Sequence, residues 1–341
     1  MIEAGRGEID FGGAMIFVTG GAGFIGSNTV AALCERGAEV VVCDRLGRDE
    51  KWRNLAKHEL ADLVAPEQCF AALERYKGSI EAVVHMGAVS STTETDADLI
   101  IDSNFRLSLA LWDWCTAEQK PFIYASSAAT YGDGSAGFED DGSPEALARL
   151  RPLNAYGWSK HLFDRRIARI VERAGPVPPQ WVGLKFFNVY GPNEYHKGSM
   201  RSVLAQNFAR VRAGGPIRLF RSNRPDYADG GQMRDFVYVR DCVEVMLWLL
   251  DNRQVSGLFN LGTGKARSWR DLAQALFRAL GREPQIDYID MPETLARKYQ
   301  YFTEAAMERL RNAGYRRPFT DLEDGVADYV RRYLAADDPY R

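Results

Sequence analysis

The sequence MIFVTGGAGFIGSN occupies residues 15–28 and decides the fold class. Its first half is a short apolar run typical of a buried strand. Gly20, Gly23 and Gly26 then stand at GxxGxxG spacing before a helical segment. Glycine permits a tight turn and a close backbone approach to a pyrophosphate, and the N–H groups that begin the helix attract the anion. This stretch predicts a dinucleotide-binding turn.

The remaining sequence up to Gly191 repeats the same alternation of strand and helix. The segments EVVVCD, AVVHMGA, PFIYASS and QWVGLKFF are apolar runs without polar alternation, separated by helical segments. Such strands are buried on both faces, which is typical of a parallel sheet. We therefore predict an α/β protein with a doubly wound parallel sheet of the Rossmann type. Beyond Gly191 the regular rhythm gives way to loops, which predicts a smaller mixed α/β substrate-binding domain.

The same patterns suggest domain boundaries. Residues 1–14 are polar and glycine-rich and are interpreted as an N-terminal extension or a start-site artefact. We predict a cofactor-binding domain over residues 15–187, with a returning segment at about 235–265, and a substrate-binding domain formed by residues 188–234 and 266–341.

Composition restricts the kind of partner. The formal net charge is only -3 and no run of Lys or Arg is long, so we expect no nucleic-acid partner and no membrane surface. No stretch reaches the roughly 18 apolar residues of a transmembrane helix. The five cysteines are scattered without metal-ligand spacing, which favours small buried side chains, no metal site and a reducing cytoplasm.

The choice between NAD and NADP is ambiguous at the end of the second strand. Asp44 stands where an acidic side chain accepts a hydrogen bond from the adenosine ribose, which favours NAD. Arg45 and Lys51 follow, and both side chains are suited to a 2′-phosphate, which favours NADP. Arg45 is alternatively an ordinary surface arginine.

A tyrosine and a lysine in NAYGWSK carry the predicted chemistry. Tyr156 and Lys160 stand four residues apart, so they share one face of a helix. An ammonium near the phenol stabilises phenolate and makes Tyr156 a better base near neutral pH. Ser127 ends an earlier strand, where its hydroxyl is placed to bond the reacting oxygen. Serines after strands are also common turn or cap residues.

With these motifs, the chain resembles the nucleotide-sugar branch of the extended short-chain dehydrogenases/reductases. The matching segments are VTGGAGFIGSN, GAVSSTTE, YASSAATYG, PLNAYGWSK, FFNVYGPNEYHKGSM, RDFVYVRD, GLFNLGTG and RKYQYFTE, which run from the first strand almost to the C-terminus. Within that branch, SSTTE and HKGSM are similar to members that invert C6 of an ADP-linked heptose. The resemblance implies an isomerase that oxidises and re-reduces this carbon with bound NADP, for lipopolysaccharide core synthesis, and a homo-oligomer, by analogy a pentamer.

The resemblance also assigns roles to individual residues. Lys197 in HKGSM matches a second acid/base group, although a phosphate-binding or surface lysine is the alternative. The predicted cofactor contacts, besides the three glycines, Asp44, Arg45, Lys51, Lys160 and Lys197, are Phe24, Ile25, Met86, Gly87, Ala88, Val89, Ser90, Asn104 and Val189. The predicted substrate contacts are Ser91, Asn188, Ser199, Gln206, Phe220, Arg221, Ser222, Asn223, Arg234 and Tyr299.

Departures from the family pattern and competing functions remain. Gln206 stands where the family has a histidine, Pro66 where a cofactor-contacting lysine can occur, and the loop of residues 222–232 is long. The alternatives are another epimerase, dehydratase or reductase acting on a nucleotide sugar, or a non-catalytic dinucleotide sensor. In SSAATYG, alanines replace the acidic pair that a 4,6-dehydratase uses, which argues against elimination.

Overall fold

The computed structural model of the chain describes residues 11–293 and 299–341. Its strands are β1 (Met15–Thr19), β2 (Glu39–Cys43), β3 (Asp62–Val64), β4 (Ile80–His85), β5 (Phe122–Ser127), β6 (Trp181–Phe186), β7 (Asn188–Tyr190), β8 (Ile217–Phe220), β9 (Met233–Tyr238), β10 (Gly257–Leu261), β11 (Ala266–Ser268) and β12 (Ile286–Ile289). Its helices are α1 (Phe24–Glu35), α2 (Cys69–Tyr76), α3 (Ala97–Ile101), α4 (Leu107–Ala117), α5 (Pro144–Leu147), α6 (Ala155–Glu172), α7 (Val203–Arg212), α8 (Val239–Asp251), α9 (Trp269–Ala279), α10 (Glu308–Asn312) and α11 (Leu322–Tyr329).

Seven parallel strands form the central sheet, in the order β10-β6-β5-β4-β1-β2-β3. The chain moves from β1 outward to β3 and then returns to the other side of β1 through β4. The strand order therefore reverses between β1 and β4, and ligands of open α/β sheets bind at the carboxyl ends of the strands at such a point. The predicted doubly wound α/β fold is confirmed.

Both faces of this sheet are buried, as the apolar runs predicted. In β1, Ile16 and Val18 belong to one core cluster, while Met15 and Phe17 belong to the cluster on the opposite face. Helix α8 packs against α1, and apolar side chains of both helices belong to the core cluster on the first face. A strand covered on both sides buries every residue, and all five residues of β1 are buried.

The later part of the chain forms two small sheets and a second core. Strands β11, β9 and β7 form one sheet, and β12 pairs with β8 in the other. Within the predicted returning segment, β10 joins the central sheet beside β6, whereas β9 joins the small sheet beside β7. Helices α7, α9 and α11 contribute to the second core. The exact division into two domains stays a prediction.

Several elements differ in detail from the predicted ones. A π-type turn at Asp102–Arg106 lies between α3 and α4 and interrupts the regular helix. The end of the predicted extension contacts the fold, because Phe11 is buried in the core and its N–H donates to the carbonyl of Arg36 at 2.9 Å. Residues 1–10 lie outside the described residues.

Neither a membrane helix nor a metal cluster is found in the described part of the chain. Residues 11–293 and 299–341 contain no helix with the length and apolar character needed to span a bilayer. The same residues hold no group of three or more His, Cys, Asp or Glu side chains suited to a metal ion. All five cysteines are free, and four of them are buried.

Gly183 provides a test of the packing of the central sheet. An added Cβ would meet the phenol of Tyr124 and would lie 2.7 Å from Cδ1 of Leu258. We expect Gly183→Ala to lower the free energy of unfolding by about 1–3 kcal/mol through overpacking. Gly78→Ala is the matched control, because no atom lies within 4 Å of its added Cβ. Urea unfolding of both variants measures the difference, and equal stabilities would contradict this account of the core.

Candidate active site

A cavity of about 510 Å³ lies at the carboxyl ends of the central strands. It follows five strands in spatial order, β2, β1, β4, β5 and β6, which corresponds to a length of about 19 Å at about 4.8 Å per strand spacing. Such a volume is typical of a small-molecule site. The lining residues are Gly20, Gly23, Phe24, Ile25, Gly26, Asp44, Lys51, Met86, Gly87, Ala88, Val89, Ser90, Ser91, Ala125, Ser126, Ser127, Tyr156, Lys160, Phe186, Phe187, Val189, His196, Lys197 and Met200.

The glycine turn forms the wall of this cavity after β1. Gly20 has φ +65°, and a Cβ there would collide with the backbone of Gly87. A Cβ on Gly26 would collide with the carbonyl of Gly20. No side chain caps α1, whose N-cap residue is Gly23. The first N–H groups of α1 therefore face an anion-binding position, and the turn fits a dinucleotide pyrophosphate.

Of the charged side chains that follow β2, two line the cavity and one points away from it. The Asp44 carboxylate accepts from the N–H of Ala22 at 2.9 Å and pairs with Lys51 Nζ at 2.8 Å, and both side chains line the cavity. Arg45 instead pairs with Glu67 and has a side chain that is 68% exposed. The structure thus brings Lys51 to the cavity and leaves Arg45 outside its lining.

The loop after β4 is fixed by hydrogen bonds with the side chain of Asn104. Its Oδ1 accepts from the N–H of Val89 at 2.8 Å, and its Nδ2 donates to the Val89 carbonyl at 2.9 Å and to Ser159 Oγ at 3.0 Å. Asn104 is fully buried and lies in the π-type turn. It therefore reaches the cavity through Val89, and also ties this loop to the helix that carries Tyr156.

Tyr156 and Lys160 share the predicted face of α6. The Asn154 side chain caps this helix by accepting from the N–H of Gly157 at 2.8 Å. Ser127 hydrogen-bonds Tyr156, and it also accepts from the N–H of Ala129 at 3.1 Å, so it caps the following turn while it contacts the tyrosine; its contact with a substrate stays a prediction.

Burial controls the protonation of both groups. It raises the pKa of Tyr156, and the hydrogen bond with Ser127 opposes this only in part. It also lowers the pKa of Lys160 to about 8, against the opposing charge of Asp164. In the free protein the Tyr156 pKa thus moves upward, opposite to the expected lowering by an ammonium, because burial outweighs the favourable interactions.

A buried ion pair supports α6 directly below these residues. Asp164 and Lys185 are both fully buried and their charged atoms lie 2.9 Å apart. Ser126 Oγ also donates to Asp164, at 2.7 Å, and Tyr124 OH donates at 3.2 Å. Since Asp164 follows Lys160 by one helical turn, this network connects the end of β5 to the lysine.

Lys197 lies in the 3₁₀ turn Tyr195–Met200, which follows β7. Its ammonium is 5.3 Å from the centre of the Phe24 ring. Burial lowers the pKa of Lys197, while the charge of Glu194 raises it. Desolvation of this kind makes a lysine a better base near neutral pH. The structure therefore brings Tyr156 and Lys197 into one cavity.

A second group of predicted residues lies outside the lining of this cavity. The rings of Phe220 and Tyr299 are 6.3 Å apart, and the Arg234 guanidinium is 5.2 Å from the Tyr299 ring. Arg234 is buried, which lowers its pKa, and no described carboxylate pairs with it. The N–H of Asn223 donates to Tyr301 OH at 2.8 Å. This group forms an aromatic site with one buried cation.

The other predicted substrate residues have varied surroundings. Asn188 begins β7, and Gln206 donates to the carbonyls of Ser199 and Arg201 at 3.1 and 2.6 Å. Arg221 forms an exposed ion pair with Asp290 at 3.1 Å. Ser222 is not among the residues that line the main cavity, and its N–H donates to Asp229 at 2.9 Å. Within the described chain, Ser91 is the one predicted substrate residue that lines the main cavity.

Some lining residues were not predicted from the sequence. Phe186, Phe187, His196 and Met200 line the cavity, as do Ala125 and Ser126. Each adjoins a motif residue that was predicted, so extending the motifs by one or two positions at strand ends would have found them. Trp269 is different: its ring lies 5.8 Å from the Arg234 guanidinium, and no local pattern links the two residues.

The fold and the cavity define a dinucleotide-binding enzyme with a Tyr-x-x-x-Lys pair. Residues 16–262 match the NAD dependent epimerase/dehydratase family. The chain belongs to this family, which makes its cofactor a nicotinamide dinucleotide.

Individual relatives are similar over nearly the whole chain. ADP-L-glycero-D-manno-heptose-6-epimerase of Nitratidesulfovibrio vulgaris (strain DP4) is 56% identical over 96% of this chain and 100% of its own length. The crystal structure of Helicobacter pylori ADP-L-glycero-D-manno-heptose-6-epimerase has a TM-score of 0.78 at 28% identity, covering 95% of this chain and 97% of that one. Thermus thermophilus UDP-glucose 4-epimerase in complex with NAD has a TM-score of 0.72 at 26% identity, covering 93% and 97%.

The buried pair below α6 gives a stability prediction. Asp164→Ala leaves the Lys185 ammonium buried without its carboxylate, so we expect the free energy of unfolding to fall by about 3–5 kcal/mol. The double variant Asp164→Ala/Lys185→Met removes both charges and should recover at least about 1 kcal/mol of that loss. Urea unfolding of Asp164→Ala, Lys185→Met and the double variant gives the coupling energy, and strictly additive losses would rule out a mutual dependence of the two charges.

Proposed function

We propose that the chain inverts the configuration at C6 of the heptose in ADP-D-glycero-β-D-manno-heptose, giving ADP-L-glycero-β-D-manno-heptose. The observation that carries this proposal is the presence of Tyr156 and Lys197 in one cavity, since an epimerisation uses proton transfer at both faces of a carbon. The names and full-length similarity of the N. vulgaris and H. pylori proteins support the same substrate. The chain is then an isomerase.

The chemistry at C6 divides between cofactor and protein. The bound nicotinamide supplies the oxidation of this carbon and its re-reduction. One of Tyr156 and Lys197 accepts the hydroxyl proton as the carbonyl forms, and the other returns a proton to the oxygen when the opposite face is reduced. Because C6 is exocyclic, rotation about the C5–C6 bond exchanges the faces while the ring and the ADP stay bound. Ser127 holds the reacting oxygen beside Tyr156.

The positive charge of Lys160 has a separate role. Its ammonium stabilises phenolate at Tyr156 and holds the nicotinamide ribose. With a pKa of about 8, Lys160 is largely protonated at neutral pH and loses its proton as the pH rises through that value. Asp164 favours the charged form. The ammonium therefore acts mainly at and below neutral pH.

The aromatic site with Arg234 suits the ADP portion of the substrate. A planar guanidinium binds diphosphate oxygens with two parallel hydrogen bonds, and a buried cation without a carboxylate partner gains from an anion. Phe220, Arg221, Ser222 and Asn223 are proposed to contact the nucleotide, and Tyr299 the sugar. Asn188, Ser199 and Gln206 are proposed to complete the sugar contacts.

We propose NADP as the particular cofactor. The proposal rests on Lys51, whose ammonium lines the cavity beside Asp44, rather than on Arg45, which pairs with Glu67. A 2′-phosphate at this end of the cavity would compete with Asp44 for Lys51 and would gain a charge-assisted contact. The product would supply lipopolysaccharide core synthesis in the cytoplasm, with the chain in a homo-oligomer.

The first functional prediction compares the two acid/base residues. The wild-type protein should convert ADP-D-glycero-β-D-manno-heptose to the L-glycero isomer, detected by chromatography. We expect Tyr156→Phe and Lys197→Met each to reduce the rate by about 10²- to 10⁴-fold, because each loses a proton-transfer group.

Two controls accompany this comparison: a substituted lysine outside the cavity, and a measurement of cofactor binding. Lys77→Met, an exposed lysine paired with Glu74, should keep wild-type activity, and the Lys197→Met protein should still bind NADP. Wild-type turnover by Lys197→Met would exclude the two-group assignment. Conversion of a UDP-sugar but not of the ADP-heptose would instead support another epimerase of the family.

The second prediction concerns the released cofactor. Acid extraction of the purified protein should yield NADP, identified by mass spectrometry. Lys51→Ala should shift the preference toward NAD, because it removes the cation nearest to Asp44, whereas Arg45→Ala should have a smaller effect. Recovery of NAD alone from the wild-type protein would overturn the NADP proposal.

A further inference from the structure

Two turns that pack against each other line part of the main cavity. The Lys51 turn, residues 50–57, carries Lys51, and the Lys197 turn, residues 193–200, carries His196, Lys197 and Met200. Asn54 joins them, because its Nδ2 donates to the carbonyls of Ala22 and Asn193 and contacts His196 Nδ1 at 3.2 Å. The position of Lys197 therefore depends on how these two turns are held together.

Residues 338–341, the strap, lie across the Lys51 turn. Lys57 Nζ donates to the carbonyl of Tyr340 at 2.6 Å and pairs with Asp338 at 2.8 Å. The guanidinium of Arg53 lies 4.5 Å from the centre of the Tyr340 ring. The ion pair is about half exposed on both sides, so the ring contact and the bond to the backbone carry most of this attachment.

The same strap also contacts the Lys197 turn. Tyr195 OH donates to the carbonyl of Pro339 at 2.9 Å, and the rings of Tyr195 and Tyr340 meet edge to face at 5.2 Å. The N–H of Arg341 donates to Asn193 Oδ1 at 2.9 Å. Tyr340 is buried, with its ring between Arg53 of one turn and Tyr195 of the other.

Asn193 gives this contact a specific role. It is fully buried with φ +70°, in the left-handed region that asparagine tolerates better than most residues. Its Nδ2 donates to Ser27 Oγ at 3.0 Å, and its Oδ1 accepts from Arg341. The Arg341 guanidinium donates in turn to the carbonyl of Asn28 at 3.1 Å. Helix α1, the strap and the Lys197 turn thus meet at one residue.

We propose that the strap positions Lys197 and retains the cofactor by holding the Lys51 and Lys197 turns together. The role given to Lys197 rests on the proposed function, whereas the retention of a dinucleotide rests only on the cavity. Without the strap, the Lys197 turn keeps its bonds through Asn54 and Ser27 but loses three contacts, two with Tyr195 and one with Asn193. Local opening of both turns should then become easier, while the central sheet stays folded.

The experiment compares the full chain with one ending at residue 337. Hydrogen–deuterium exchange should become at least about tenfold faster in residues 50–57 and 193–200 of the shortened chain, with α6 unchanged. NAD and NADP are each added to both proteins, and whichever of them the full chain binds more tightly should dissociate at least about fivefold faster from the shortened chain in a rapid-dilution assay. These measurements need no sugar substrate, so they can fail or succeed independently of the proposed function.

A point variant tests the strap if the shortened chain does not fold. Tyr340→Ala removes both ring contacts and should give the same two changes with smaller amplitude, whereas Arg331→Ala, an exposed residue before the strap, should give neither. In the epimerase assay, Tyr340→Ala should lower kcat more than it raises KM, because it displaces Lys197 rather than the ADP site. Unchanged exchange and cofactor dissociation in Tyr340→Ala would overturn the proposal.

Discussion

The close approach of three backbone segments at Gly20 sets the geometry of the rest of the molecule. At this point the turn after β1 touches the loop after β4 at Gly87 and the first turn of α1 at Gly26, with no space for a Cβ on Gly20 or Gly26. This contact fixes the start of α1 against the paired ends of β1 and β4, where the strand order reverses and the cavity lies. A side chain here would separate the phosphate-binding turn from the strand ends that carry the chemistry.

Burial of charge is the second general constraint. Lys160, Lys185 and Lys197 all approach the same region, and their surroundings separate their roles. Lys185 has a buried carboxylate partner at 2.9 Å and is structural. Burial without such a close partner lowers the pKa of Lys160 and Lys197, which keeps these two available for proton transfer or for a bound anion. A close carboxylate partner therefore distinguishes the structural Lys185 from the two lysines that line the cavity.

The sequence allowed the fold and the centre of the cavity to be predicted, because both depend on local patterns. Apolar runs indicate buried parallel strands. The glycine spacing lies within a single turn and the Tyr-x-x-x-Lys spacing within a single helix, so both can be recognised from neighbouring residues. Orientations that depend on distant residues were not accessible. Arg45 pairs with Glu67, which lies on a separate segment of the chain, so its direction could not be predicted from the residues beside it. Trp269 and Arg234 are likewise distant in sequence and come together at the small sheet. The pKa of Tyr156 likewise depends on burial by the whole fold.

The attachment of the strap has a consequence for the order in which the protein is completed. Lys57 and Tyr340 are separated by 283 positions along the chain. At a synthesis rate of about 5–20 residues per second, the Lys51 turn emerges from the ribosome roughly 15–60 s before the residues that secure it. During this interval β3 to β6 and β10 of the central sheet are still being made, and the two turns lack the contacts of the strap. The contacts of the strap therefore form only after all the strands and helices that line the cavity have been made.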